Sequence, residues 1–167
     1  MKRVVDQKIA EKINQSLNFL IVSHVRPDAD AVGSLLGLGL ALINQGKHVQ
    51  MVLTDGAGRF EYLPKVDLIT NSPHGNVDMI IVVDCSDINR VGGIRASLGK
   101  PDLVVDHHKT NDQYGMYNIV EPFQVATAAI LFDHMPEWGL EFDPDIATCL
   151  LSGIVGDTIG YLSLIHI

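Results

Sequence analysis

The chain has only two cysteines, Cys85 and Cys149, far apart and each inside an apolar run. That excludes a disulfide framework and reads as two buried free thiols in a reducing compartment, the cytoplasm. Positive charge is short as well: twelve Lys and Arg face twenty Asp and Glu, a formal net charge of -8. Such a balance excludes a protein that grips long duplex nucleic acid by its backbone, while small phosphorylated ligands stay allowed because bound divalent ions would offset several acids locally. No apolar run reaches membrane-spanning length, and Asp6, Gln7, Lys8, Glu11 and Lys12 break up any signal-peptide core near the start, so no membrane partner is expected. Prolines number seven and no low-complexity tract occurs, which argues against disorder. What is present is 47% apolar and 19% charged residues in 167, the make-up of one globular domain.

The apolar pattern predicts strands alternating with helices. Val5, Ile9, Ile13 and Leu17 are spaced four apart, the stripe of an amphipathic helix over 4–17. "FLIVS", "VQMVL", "MIIVVD" and "DLVVD" are short, β-branched and apolar on consecutive positions, as strands covered on both faces are. Met116 and Tyr117 fall in a fifth strand. "AVGSLLGLGLALINQG", "PFQVATAAILFDHM" and "DPDIATCLLSGIVGD" read as helices, the last opened by an Asp cap and Pro144. The fold class expected is therefore α/β, a doubly wound, mainly parallel five-stranded sheet flanked by helices. The "GLGL" at 37–40 lies inside a helical run and lacks a third glycine, so it is read as helix packing and not as a dinucleotide loop.

In such folds ligands gather beyond the carboxyl ends of the strands, and that is where the acidic and imidazole residues fall. "SHVRPDADAVGS" puts His24, Asp28 and Asp30 just after the first strand; Asp84 follows "MIIVV"; Asp106, His107 and His108 follow "DLVV"; Asp157 ends a helix. Like charges this close raise one another's pKa unless a cation sits among them. Four carboxylates and two imidazoles among His24, Asp28, Asp30, Asp84, His107 and Asp157 suffice for two hard divalent ions, with imidazole favouring Mn²⁺ over Mg²⁺. Two such ions about 3.5–4 Å apart can clamp a phosphoryl group for in-line attack. Each piece alone has a plainer reading: "PDAD" as a helix cap, "VVDCSD" as a ribose-binding carboxylate or phosphoacceptor, "DHH" as chance, "GDT" as a turn. Jointly, in this order and at strand ends, they point to phosphoester hydrolysis.

Those pieces carry a resemblance. His24 to Ser34 match His-x-x-Pro-Asp-x-Asp-Ala-x-Gly-Ser; Asp84 stands in "VVDCSDINR"; "DHH" occupies 106–108, followed by "KTN"; Asp157 stands in "GIVGDTIGY". The chain resembles the DHH phosphoesterase family, over residues 19–161. By that resemblance His24 and Asp28 would hold one metal, Asp30 and His107 the other with Asp157 completing it, and Asp84 would bridge. His108 would face the scissile phosphate as electrophile or proton donor, and Asp106 would orient a neighbouring imidazole. Gly33 and Ser34 would let a helix start approach phosphate, with Arg26 and Arg90 as further phosphate contacts. His48, His74 and His134 fall outside the four motifs and are read as structural or solvent-exposed. Trp138, Phe123 and Phe132 are read as packing.

The wording of the motifs favours the bifunctional oligoribonuclease and 3'-phosphoadenosine-5'-phosphate phosphatase branch, acting on short RNA or a nucleotide. The alternatives are a cyclic-dinucleotide phosphodiesterase and a non-catalytic nucleotide-binding domain. A homodimer is an assembly left open. Members that act on nucleotides continue into a second, glycine-rich substrate-binding domain, which is expected to be absent here: residues 1–161 are read as the catalytic domain and "LSLIHI" at 162–167 as a non-native tail.

Overall fold

The computed structural model describes residues 2–160; the expected boundary at 161 and the tail beyond it lie outside them. Helix α1 (Lys2–Gln15) leads into β1 (Asn18–Val22), α2 (Ala29–Asn44), β2 (His48–Val52), β3 (Ile69–Thr70), β4 (Met79–Val83), β5 (Leu103–Asp106), β6 (Tyr117–Val120), α3 (Thr127–His134) and α4 (Pro144–Asp157). The strands form one sheet in the order β3-β2-β1-β4-β5-β6, every pairing parallel. This is the expected parallel α/β architecture with one strand more. The additional strand, β3, has two residues at the sheet edge and no apolar run to announce it.

Strand side chains alternate strictly between two cores, as the two-residue period requires. Phe19, Ile21, Ile81, Val83, Leu103 and Val105 face the larger core, which takes Ile9 and Ile13 of α1, the leucines of α2, Ile130 of α3 and Leu150 of α4. Leu20, Val22, Val82 and Val104 face a smaller one, closed by Val91 and Ile94 of a 3-10 segment (Ile88–Ala96) between β4 and β5. Both faces of the central strands are thus dry, which is why their sequences are apolar without alternation. Cys85 and Cys149 are buried free thiols, and burial pushes both up to about 12, so neither is a nucleophile at neutral pH.

Two helix boundaries differ from expectation. Helix α1 ends at Gln15, and Leu17 is an exposed residue of the turn into β1. Helix α3 starts only at Thr127, because Ala126 is extended (φ -165°, ψ 156°) and the first helical N–H groups are taken up by a side chain from another element, described below. Helix α4 starts as expected, Asp143 accepting from the N–H of Ile146 at 2.8 Å with Pro144 next to it.

Helix α2 lies against α4 at backbone distance. A Cβ on Gly33 would overlap the Cys149 carbonyl oxygen, and one on Gly153 would sit 2.9 Å from Asp30 Oδ1. The glycines within α2 serve packing too, Gly37 under Leu150 and Gly39 under Met51. No helix among the described residues is long and apolar enough to cross a membrane.

Candidate metal centre

The strand order turns back on itself between β1 and β4: the chain runs outward from β1 to β2 and β3 on one side, and from β4 to β5 and β6 on the other. The crevice beyond the carboxyl ends of two such strands is where open α/β sheets bind ligands. His24 stands just after β1 and Asp84 just after β4, with His24 Nε2 3.6 Å from Asp84 Oδ2. Neighbouring β5 ends in Asp106 and delivers His107 and His108 to the same rim. Asp84 holds a left-handed backbone (φ 50°), a conformation that Asp tolerates better than most residues.

Asp28 and Asp30 open α2. The side chain of Asp28 caps the helix, accepting from Ala31 N–H at 3.0 Å, while its other oxygen lies 3.9 Å from His24 Nε2. The plain reading of this residue as a cap and the functional reading as a ligand therefore hold together. Asp157 ends α4, and the glycine contacts between α2 and α4 set it near Asp30: His107 Nε2 is 3.5 Å from Asp157 Oδ2 and 3.9 Å from Asp30 Oδ2.

Donor atoms assemble into two groups, His24, Asp28, Asp84 and Asp30, His107, Asp157, which a third, Asp84, His107, His108, links, each with its atoms within 4.8 Å of one another. Asp84 reaches both, its Oδ1 being 3.8 Å from His107 Nε2. The six residues expected as metal ligands are thus brought together. Among the described residues, Asp84 Oδ2 is the buried side-chain oxygen with no hydrogen-bond partner, a costly arrangement for a carboxylate unless a cation completes it. The donor set of carboxylate oxygens and imidazole nitrogens suits a hard divalent ion.

The protonation pattern shows the same shortage of positive charge. Burial and the Asp84 charge push Asp30 well above the carboxylate range despite two backbone N–H donors. Asp157 is raised first by burial and then by Asp84 and Asp28, with His107 opposing. Burial acts against ionisation of Asp84 too, but His24, His108 and His107 outweigh it and hold that carboxyl below its usual value. His24 is raised: desolvation lowers it, and Asp84, the Val25 carbonyl and Asp28 prevail.

The supporting hydrogen bonds orient these ligands. His24 Nδ1–H donates to the Val25 carbonyl at 2.9 Å, which leaves Nε2 with its lone pair toward Asp84 and Asp28. Asp106 accepts from His108 Nδ1 at 2.7 Å and from Asn111 Nδ2 at 2.6 Å, so the ring it fixes is that of His108, which the hydrogen bond lifts to about 9. Asp30 receives the N–H groups of Thr127 (2.6 Å) and Ala128 (2.9 Å), capping α3 from a different helix, and Thr127 Oγ1 donates to Asp84 Oδ1 at 3.0 Å. Thr127 was missed in the sequence, where nothing in "VATAAIL" sets it apart. Asn111 stands in the "KTN" after the third motif but was given no role.

The expected phosphate contacts fare differently. Gly33 is wedged against α4 and Ser34 is fully buried, donating to Asp30 Oδ1 at 3.0 Å. Their place in the motif is explained by the α2–α4 approach and by Asp30. Arg90 is half-buried with Nη2 3.3 Å from His24 Nδ1, at the edge of the cluster. Arg26 is exposed, and its backbone N–H is bound by Asp55 at 2.8 Å. His48 and His74 are exposed, whereas His134 is buried, its Nδ1 2.7 Å from Asp6.

The parallel sheet thus carries at its switch point two linked groups of carboxylates and imidazoles that could hold divalent ions. The chain belongs to the DHH family: the family described as "DHH family, N-terminal domain" matches residues 18–154. It is 35% identical to the bifunctional oligoribonuclease and PAP phosphatase NrnA of Thermus thermophilus, over 83% of this chain and 42% of that protein. It is 29% identical to the cyclic-di-AMP phosphodiesterase PdeA of Listeria monocytogenes, over 93% of this chain and 27% of that one. Its fold is that of an exopolyphosphatase-related protein of Bacteroides fragilis, with a TM-score of 0.87 at 23% identity over 95% of this chain and 51% of the other. The chain spans less than half the length of the two curated relatives.

Proposed function

We propose that this domain hydrolyses phosphoester bonds in short oligoribonucleotides, in 3'-phosphoadenosine 5'-phosphate, or in both, releasing nucleoside 5'-monophosphates. The observation that carries the reading is Asp84, a buried carboxylate shared by two ligand groups with one oxygen left without a partner. His24 and Asp28 would hold one divalent ion and Asp30, His107 and Asp157 a second, with Asp84 between them. Mn²⁺ is the ion proposed, because each group includes an imidazole. Bound there, the ions would offset phosphate charge and lower the pKa of an attacking water.

The chain's own residues do the rest. Asp106 holds the His108 ring in one orientation, and His108 would face the phosphate and supply a proton to the leaving oxygen. Thr127 and Ala128 hold Asp30, and Val25 holds His24, so the ligand geometry is set before substrate arrives. The identity with NrnA supports the oligoribonucleotide reading; the weaker identity with PdeA keeps cyclic dinucleotides as a second reading at the same site.

Calorimetric titration of Mn²⁺ tests the centre directly. Two sites are expected in the wild-type chain and loss of binding in Asp84→Ala. Hydrolysis of the dinucleotide 5'-pApA should vanish in Asp84→Ala and Asp157→Ala; turnover unchanged in both overturns the mechanism, and preference for a cyclic dinucleotide over 5'-pApA selects the second reading.

A further inference from the structure

The metal ligands form one side of an open cleft of about 340 Å³. Asp28 and Asp157 make its inner edge; its outer edge is the loop after β2, with Arg59, Phe60 and Tyr62, and Ser152 of α4 lies between. Anything bound through phosphate to the centre has this cleft as an adjoining space, and its volume is at the lower end of sites that take small ligands.

Its lining is built in two different ways. Phe60 is buried and carries the Arg59 guanidinium over its ring, 5.2 Å from the centroid, so the cation is held near the cleft rather than swinging free. Tyr62, two residues on, leaves 71% of its surface exposed, yet its hydroxyl is tied across the cleft to Ser152 Oγ at 3.2 Å. A wet aromatic ring anchored at its polar end is a flat surface held ready, and every nucleobase has a face that stacks on such a ring. Arg59 is the one cation of the lining, set among acids, and a guanidinium is suited to a phosphate that does not react.

We propose that this cleft holds the nucleoside next to the scissile phosphate, its base stacked on Tyr62 and a second, unreacting phosphate bound by Arg59. The inference rests on the phosphoesterase reading and adds to it a substrate grip belonging to this domain. Arg59 and Tyr62 are exposed side chains away from the sheet, so truncating them leaves the fold intact, which a melting curve checks.

The test compares the Mn²⁺-loaded chain with Arg59→Ala and Tyr62→Ala on 5'-pApA and on bis(4-nitrophenyl) phosphate, which has neither base nor second phosphate. For each variant kcat/KM is expected to fall about tenfold further on 5'-pApA than on the small ester, mostly through KM, and Arg59→Lys should recover part of the loss. Equal falls on the two substrates, or an unchanged KM for 5'-pApA, overturn the proposal. A wild-type chain that cleaves neither substrate overturns the phosphoesterase reading alone, and calorimetry with 3'-phosphoadenosine 5'-phosphate, which has a base and two phosphates, then decides the cleft. Affinity about tenfold weaker in Arg59→Ala supports it; equal affinities, or no binding of that bisphosphate by the wild type, sink it.

Discussion

At the scale of single residues, the site depends on carboxylates whose charge is left unbalanced by the protein alone. Asp106→Asn should release His108: its pKa, held at about 9 by the hydrogen bond to Asp106, drops toward the ordinary imidazole value in an NMR titration of the metal-free chain. The same change should cut turnover about 10- to 100-fold, as loss of an orienting partner does. Because the folded value of His108 is raised, the stability that this pair contributes is complete below the ordinary histidine pKa and fades as pH rises through about 9. His24 is also raised, and an ion must displace that proton, so Mn²⁺ affinity measured by calorimetry should weaken steadily on acidification. The ligands were legible in the sequence because they cluster as polar residues in the short segments just beyond apolar runs. Thr127 was not, because a threonine in a helix start has many ordinary uses and only the tertiary placement of α2 and of the end of β4 brings Asp30 and Asp84 to it.

At the scale of elements, the approach of α2 to α4 decides whether Asp157 reaches the centre. Gly33→Ala and Gly153→Ala would force a Cβ into the Cys149 carbonyl and into Ala128 and Asp30. Each should cost about 1–3 kcal/mol in chemical denaturation and weaken the second ion more than the first, since Asp30 and Asp157 belong to that group. Asp143→Ala removes the cap of α4 and should cost about 1 kcal/mol. Asp143 is held below the usual carboxylate range first by the Ile146 N–H and then by Asn44. Its contribution is therefore present above the ordinary Asp pKa and lost as pH falls below it. The cap and Pro144 were readable from sequence as a helix start; the two-residue β3 was not, because its strand character comes from pairing with β2 and not from its own residues.

At the scale of the whole molecule, the centre ties together segments that have no other reason to meet. Residues from β1, α2, β4, β5 and α4 converge on it, so an ion that binds only the folded chain should stabilise all of it. Mn²⁺ at a hundredfold excess over its dissociation constant should add about 2.7 kcal/mol per site and raise the melting temperature, an effect reversed by chelator and absent in Asp84→Ala. A second anchor lies outside the metal centre, where buried Asp6 of α1 accepts from Trp138 Nε1 at 2.9 Å and pairs with His134. Asp6→Ala takes the acceptor from Trp138 Nε1 and from His134 Nδ1, leaving His134 only Glu121 at 3.4 Å, and should cost about 1–3 kcal/mol in thermal denaturation without changing Mn²⁺ affinity.

The amino-acid sequence by itself determined that this protein is a parallel α/β domain and which six residues make up the candidate metal centre. Both are written locally, as apolar runs dry on two faces and as polar residues placed where those runs stop. Only the tertiary structure decided the distances at which the six meet, that Thr127 and Ala128 hold Asp30, that Gly33 and Ser34 serve packing, and that Arg59 and Tyr62 flank the centre. Those outcomes depend on strand order and on the backbone distance between α2 and α4, which join residues far apart in the chain and leave no periodic mark along it.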